Sequence, residues 1–158
     1  MYENNWQSLN SRPVPEWFAD AKFGIFIHWG LYSVPAYAPV KDYAEWYGYA
    51  CNIEKPEHPS HDKYKAYHKE HYNSRPYYDF INDFTGYRFD AAKWAELFQR
   101  AGAKYINFVS KHHDGYCLYK SDYAWNWNSV DVGPHRDFLM ELKEALAKTD
   151  VRFGGYHS

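Results

Sequence analysis

Two stretches of the chain are almost continuously apolar and then end in histidine. Residues 22–30 read KFGIFIHWG, and residues 104–115 read KYINFVSKHHDG. Runs of strand-forming residues that are apolar on both faces are typical of a parallel sheet covered by helices. A third stretch, residues 151–158, begins in the same way. The pattern therefore predicts three buried strands.

The segments between these stretches carry helical patterns. Asp90 is a good N-cap, and Gly102 stands where a glycine commonly ends a helix. Apolar residues recur between them at helical spacing: Trp94, Leu97, Phe98 and Ala101. Asp137 begins a second such helix, whose apolar stripe is Phe138, Leu142, Ala145 and Leu146. In the proline-interrupted excursion of residues 31–89, residues 61–72 predict a polar surface helix.

The order strand, excursion, helix, strand, loop, helix, strand predicts an α/β fold with right-handed crossovers. Three strands cannot close a barrel, and a full (β/α)8 barrel needs roughly 250 residues. The 158 residues therefore fit either a small open sheet or the front part of a larger barrel. Residues 1–16, which are polar and contain two prolines, predict an extended lead-in to a domain of residues 17–158.

Composition excludes some classes of partner. The formal net charge of −2 offers no basic surface for nucleic acid. No stretch approaches the ~20 apolar residues of a membrane span. The first residues lack the basic and apolar regions of a signal peptide, which predicts a cytoplasmic location if that start is native. Cys51 and Cys117 could be bridged, but two buried free thiols are the favoured interpretation.

Aromatic residues make up 22% of the chain, including 17 Tyr and 7 Trp. Aromatic faces stack on the C–H faces of sugars, so this content suits a carbohydrate site. An aromatic-rich core is the simpler explanation of the same number. The composition alone thus favours the core.

Ionisable side chains follow two separate buried strands. His28 ends the first, and His112, His113 and Asp114 follow the second. In parallel α/β folds the chemistry lies beyond the carboxyl ends of the strands, which predicts a shared site there. A metal-dependent hydrolase using these four residues is one alternative, since histidine and carboxylate bind zinc. The usual His-X-His and His-Glu-X-X-His spacings are absent, so no metal is expected.

Eight motifs follow one another in order along nearly the whole chain from residue 12. They are FGIFIHWG at 23–30, SVPA at 33–36, EWY at 45–47, AGAKY at 101–105, KHHDG at 111–115, WNWNS at 125–129, DVGPHRD at 131–137 and GYHS at 155–158. In sequence and order these motifs resemble the α-L-fucosidases of glycoside hydrolase family 29.

This resemblance implies the amino-terminal portion of a (β/α)8-like (TIM) barrel, with about three strands present. The family hydrolyses terminal α-L-fucosyl linkages with retention of configuration, using a nucleophile and an acid/base. The resemblance implies that the nucleophile is an aspartate, that the acid/base is a glutamate and that both lie beyond Ser158. Glu45 is a weaker acid/base candidate. It implies no metal and no cofactor. A non-catalytic fragment that binds fucose or another carbohydrate is the alternative.

The resemblance carries six substrate-binding positions over to this chain: His28, Glu45, Trp46, His112, His113 and Tyr156. The histidines and Glu45 would bond sugar hydroxyls, and Trp46 would meet the methyl group of fucose. His157 would replace Tyr156 if the strand register slipped by one. Other matched residues are predicted to be scaffold, with Arg136 paired to an aspartate: Trp127, Asn128, Asp131, Arg136 and Asp137.

The implied partner is a fucosylated glycan or glycoconjugate, with no nucleic acid and no membrane. A homo-oligomer stays open. Members of the family are often lysosomal, periplasmic or secreted, so the resemblance leaves the location of this chain open.

Overall fold

A three-stranded parallel sheet forms the centre of the fold. The computed structural model describes residues 2–51 and 57–158. The strands are β1 (Gly24–Ile27), β2 (Tyr105–Lys111) and β3 (Arg152–His157), and they lie side by side in the order β1-β2-β3. Both neighbouring pairs are parallel. The predicted α/β class and the three predicted strands are therefore confirmed.

Two glycines let side chains of β2 lie flat across the neighbouring strands. Gly24 is paired with Tyr105, and Gly154 is paired with Asn107. A Cβ atom at Gly24 would overlap the ring of Tyr105, and one at Gly154 would overlap the amide of Asn107. Glycine is needed at both positions because the neighbouring side chain occupies the space of a Cβ.

The described part of the chain contains six α-helices. They are α1 (Trp6–Asn10), α2 (Glu16–Ala21), α3 (Tyr47–Cys51), α4 (His61–Tyr72), α5 (Ala91–Arg100) and α6 (Phe138–Leu146). Short 3-10 turns occur at Leu31–Ser33, Ala44–Trp46 and Tyr77–Asn82. None of the helices in the described ranges has the length and apolar composition needed to cross a membrane.

The predicted signals for α5 and α6 are the ones the structure uses. The Asp90 carboxylate accepts from the backbone N–H of Lys93 at 3.0 Å, and the Asp137 carboxylate accepts from that of Met140 at 2.8 Å. Gly102 follows α5 with φ of 81°, a conformation that glycine adopts without strain. Both helices therefore begin at their predicted caps, and α5 ends just before Gly102 as predicted, whereas α6 ends at Leu146, before the Thr149-Asp150 pair expected to end it.

The main core lies between the sheet and helices α5 and α6. Ile106 and Phe108 of β2 are fully buried on this face. Three aromatic rings pack directly on Phe108, namely Trp29 just after β1, Phe89 of the excursion and Trp94 of α5. Phe138 of α6 packs in turn on Trp29 and on Phe84. Much of the aromatic content thus serves the core, as the composition favours.

A second core forms beneath the excursion, between α3 and α4. Tyr47, Tyr64 and Phe80 are fully buried there. The buried His68 of α4 bonds the Tyr47 hydroxyl at 2.9 Å and the Arg75 carbonyl at 2.7 Å. Helix α4 has the predicted bounds. The prediction of a surface helix is wrong for the face that carries Tyr64 and His68, because both side chains are buried and hydrogen-bonded.

The lead-in of residues 1–16 is not extended throughout. Helix α1 forms within it because the Asn5 side chain accepts a hydrogen bond from the backbone N–H of Ser8 at 2.8 Å. Helix α2 begins at Glu16, after Pro15, whose fixed φ suits the position before a helix. The polar composition and the two prolines of this segment did not predict the Asn5 cap of α1.

The loop scaffold follows the prediction in part. Arg136 pairs with Glu141 of α6, and not with an aspartate, while it also donates to the carbonyls of Gly86 and Phe89. It bonds Glu141 because this carboxylate lies one helical turn inside α6, where the guanidinium reaches it. The two thiols are free, with Cys117 buried and Cys51 half-buried.

Candidate active site

The carboxyl ends of the three strands bring histidine and tyrosine side chains together. His28 follows β1, and His112 follows β2. Since these strands are adjacent and parallel, their rings lie 5.6 Å apart between centroids. Tyr156 of β3 completes the row, with its ring centroid 6.4 Å from that of His112 and 6.3 Å from that of His28.

The excursion delivers two further residues to the same place. Glu45 lies on the 3-10 turn Ala44–Trp46, and a carboxylate oxygen of Glu45 and one ring nitrogen each of His28 and His112 all lie within 4.8 Å of one another. The ring of Trp46 lies 4.3 Å from that of His113. We call the six residues the strand-end cluster: His28, Glu45, Trp46, His112, His113 and Tyr156.

His112 is the buried member of the strand-end cluster. Only 5% of its surface is exposed, and its Nδ1 has no hydrogen-bond partner among the described residues. Burial, followed by the neighbouring His113 and His28, lowers the pKa of His112 to about 4. At neutral pH its imidazole is therefore uncharged, with one donor and one acceptor nitrogen.

Asp114 does not join the histidines. Its carboxylate accepts from the Tyr77 hydroxyl at 2.9 Å and from the Tyr116 N–H at 3.1 Å, while its carbonyl accepts from Trp127 Nε1 at 2.8 Å. Burial raises the pKa of Asp114. These bonds fix the turn after β2 and keep the Asp114 carboxylate away from the histidines. The metal site of His28, His112, His113 and Asp114 that was considered from the sequence is therefore not assembled. Glu45 lies beside His28 and His112 instead.

Of the two neighbouring residues that end β3, Tyr156 contacts the cluster. Its ring lies 5.1 Å from Phe26 as well as beside His28. The Nδ1 of His157 lies 3.5 Å from the Ser110 hydroxyl instead. The strand register therefore matches the one expected for Tyr156.

Sequence reasoning missed three residues that border the strand-end cluster. Phe26 lies two residues before His28, so strand alternation could have found it. Tyr32 is buried with its ring 5.5 Å from that of His112, and the hydroxyl of Ser158 lies 3.3 Å from His113. No local pattern marks Tyr32 or Ser158, because their positions depend on the packing of the excursion and the end of β3.

Replacing His112 by phenylalanine is expected to make the protein more resistant to acid. The folded His112 has a pKa of about 4, whereas the unfolded residue takes up a proton below about 6.5. Folding stability attributable to neutral His112 is thus complete above the unfolded pKa and is lost as the pH falls towards 4. The effect is measured as the melting temperature of H112F minus that of the parent protein, at several pH values across this window. This difference should increase as the pH falls, and a constant difference would contradict the lowered pKa of His112.

Imidazole, carboxylate and aromatic groups at the carboxyl edge of a parallel α/β sheet define a domain of the kind that binds and processes small polar substrates. Sequence comparison narrows this class. The family model described as Alpha-L-fucosidase matches residues 1–158. The chain belongs to the alpha-L-fucosidase family.

Individual relatives agree with this family. The tissue alpha-L-fucosidase of Bos taurus is 46% identical over 158 residues, which cover 99% of this chain and 32% of that protein. Two crystal structures of Thermotoga maritima alpha-fucosidase, with fucose and with a mechanism-based inhibitor, each match with a TM-score of 0.88 and 42% identity. They align over 100% of this chain, and over 37% and 38% of those chains respectively. The chain thus spans about a third of the length of its curated relatives, and its three strands correspond to part of the fucosidase catalytic fold.

Proposed function

We propose that this chain supplies the fucose-binding part of an exo-α-L-fucosidase, which hydrolyses terminal α-L-fucosyl linkages in glycans. The strand-end cluster carries the proposal, because imidazoles and a carboxylate converge there beside aromatic rings. The name of the Bos taurus relative and the Thermotoga maritima complex with fucose support the same substrate. In this proposal residues 17–158 are the amino-terminal part of a catalytic domain.

Recognition of fucose falls to hydrogen bonds, because the sugar is uncharged and carries ring hydroxyls. His112 is neutral and buried, and its unpartnered Nδ1 leaves the imidazole with hydrogen-bonding capacity for a hydroxyl. His28 and Glu45 lie against the same space and bond the neighbouring hydroxyls. Their task is to orient the ring for reaction.

Aromatic surface serves the apolar side of the sugar. Trp46 packs against His113, and Phe26 packs against Tyr156. The methyl group of this 6-deoxy sugar lies against Trp46. The tilted ring of His113 then bonds a hydroxyl next to that apolar surface.

A retaining mechanism uses two carboxyl groups about 5–5.5 Å apart. The strand-end cluster has one carboxylate, Glu45, which is the acid/base candidate within this chain. The nearby Asp114 is engaged by Tyr77 and Tyr116 and does not serve as nucleophile. In this proposal the nucleophile comes from a part of the catalytic domain outside these 158 residues, as the family resemblance implies.

A second candidate, a non-catalytic fucose-binding protein, is favoured by the same single carboxylate. Measurements of fucose binding and of turnover distinguish the fucosidase from the non-catalytic binding protein. Calorimetric titration of the chain with L-fucose is expected to show binding, with the mirror-image sugar D-fucose as the control that shows none. Equal heats for both sugars, or none for L-fucose, would overturn the binding site.

Turnover is measured with an aryl α-L-fucoside on this chain and on a longer protein that carries it. We expect none from the chain alone and release of the α-anomer of fucose, followed by NMR, from the longer protein. First formation of the β-anomer would overturn the retaining mechanism. A folded longer protein that binds L-fucose but cleaves no α-fucoside would support the binding function.

A further inference from the structure

Three members of the strand-end cluster also have the composition of a metal site. One ligand atom each of His28, Glu45 and His112 lies within 4.8 Å of the other two. Two histidines and one glutamate are the complete protein ligand set of one known class of zinc site. We propose that His28, Glu45 and His112 bind a single zinc ion, which excludes fucose from the site and so inhibits the protein.

The state of His112 gives independent support for a ligand at this point. The side chain is 95% buried, since 5% of its surface is exposed, yet its Nδ1 has no hydrogen-bond partner in the described residues. A buried polar atom without a partner is destabilising, and a zinc ion bound to this nitrogen offsets that cost. Most buried histidines of this chain differ, since His61 and His68 are bonded to backbone carbonyls.

The distances require only a small closure. Ligand atoms bonded to one tetrahedral zinc lie about 3.4 Å apart, as follows from zinc–ligand bonds of about 2.1 Å. The separations of up to 4.8 Å therefore need to shorten by at most about 1.4 Å. His28 is exposed and Glu45 is half-buried, so both can rotate, whereas the packed His112 stays fixed.

Three protein ligands leave the fourth position of zinc open to water. The atoms that zinc engages are those assigned above to sugar hydroxyls, so the exclusion of fucose rests on the proposed function. The zinc site itself does not rest on it. Zinc binding and fucose binding can therefore be tested separately.

The first experiment titrates the purified chain with zinc chloride by calorimetry. One zinc per chain is expected, with binding weakened at least about tenfold in H28Q and in E45Q, because losing a direct ligand costs at least as much as losing a residue that only supports a ligand. H71Q removes an exposed histidine from α4 and serves as the matched control, and C51S removes the half-buried thiol. Unchanged zinc affinity in H28Q and E45Q, or loss of binding in either control, would overturn the site.

The second experiment titrates L-fucose in the presence of zinc chloride and again after addition of a chelator. Zinc at about 100 times its own dissociation constant is expected to raise the apparent dissociation constant of fucose about 100-fold, with full recovery after chelation. Fucose binding that is unchanged or tightened by zinc would overturn the inhibition. A chain that binds zinc through His28 and Glu45 but binds no fucose would leave the zinc site standing and refute the proposed function.

Discussion

Replacing Phe138 by alanine is expected to lower the free energy of unfolding by about 4 kcal/mol, within the range for buried phenylalanine. Phe138 opens α6 and is fully buried, with ring centroids 4.9 Å from Trp29 and 5.1 Å from Phe89. These neighbours come from the segment just after β1 and from the excursion, so the ring joins three parts of the chain. Truncation leaves a cavity that the rigid aromatic neighbours cannot fill.

Urea unfolding followed by circular dichroism measures this loss. The matched control is L97A, which removes an apolar side chain from the exposed face of α5, where 57% of the leucine surface is accessible. That control should stay within about 0.5 kcal/mol of the parent protein. A loss below about 1 kcal/mol in F138A would show that the aromatic core adjusts freely, contrary to its packing.

Replacing His112 by phenylalanine is expected to raise the dissociation constant of L-fucose about 30-fold, which corresponds to about 2 kcal/mol. Phenylalanine keeps an aromatic ring among Tyr32, His28 and Tyr156. It removes both nitrogens, so a sugar hydroxyl is left without a partner in a buried place. Calorimetric titration at neutral pH measures the change.

Folding and binding effects of H112F are separable. The variant should remain folded at neutral pH, because it replaces a buried imidazole whose Nδ1 has no partner. H71Q on α4 provides the control and should bind fucose as the parent does, since His71 is exposed and lies outside the strand-end cluster. A change of less than about threefold in H112F would remove His112 from the sugar-binding residues.

Local signals predicted the elements that frame the site. The apolar runs predicted β1, β2 and β3, and the aspartate caps predicted the starts of α5 and α6, because each signal lies within a few neighbouring residues. The motifs shared with the fucosidases predicted a set of residues that the structure brings together at the strand ends. Helix α1 escaped prediction because its one signal, the Asn5 cap, lies in a polar segment without an apolar face.

Long-range contacts decided the remaining features. Asp114 follows two predicted site residues directly, yet its carboxylate turns to Tyr77, which lies 37 residues earlier. Arg136 pairs with Glu141 and reaches two carbonyls of the excursion, although an aspartate is adjacent to it in sequence. Tyr77 and the two carbonyls become partners only because the excursion packs against the sheet, which no local pattern encodes, whereas Glu141 is a local partner five residues from Arg136.

The sequence by itself determined the α/β order of the elements, the strands that end in histidine and the family to which the chain belongs. The tertiary structure alone decided that Glu45 lies beside His28 and His112. It also decided that His112 is buried with an unpartnered nitrogen, and that the Asp114 carboxylate bonds Tyr77 and not the histidines. The reason is physical. Strand formation and helix capping depend on residues a few positions apart, whereas burial and ligand geometry depend on chain segments that meet only after folding.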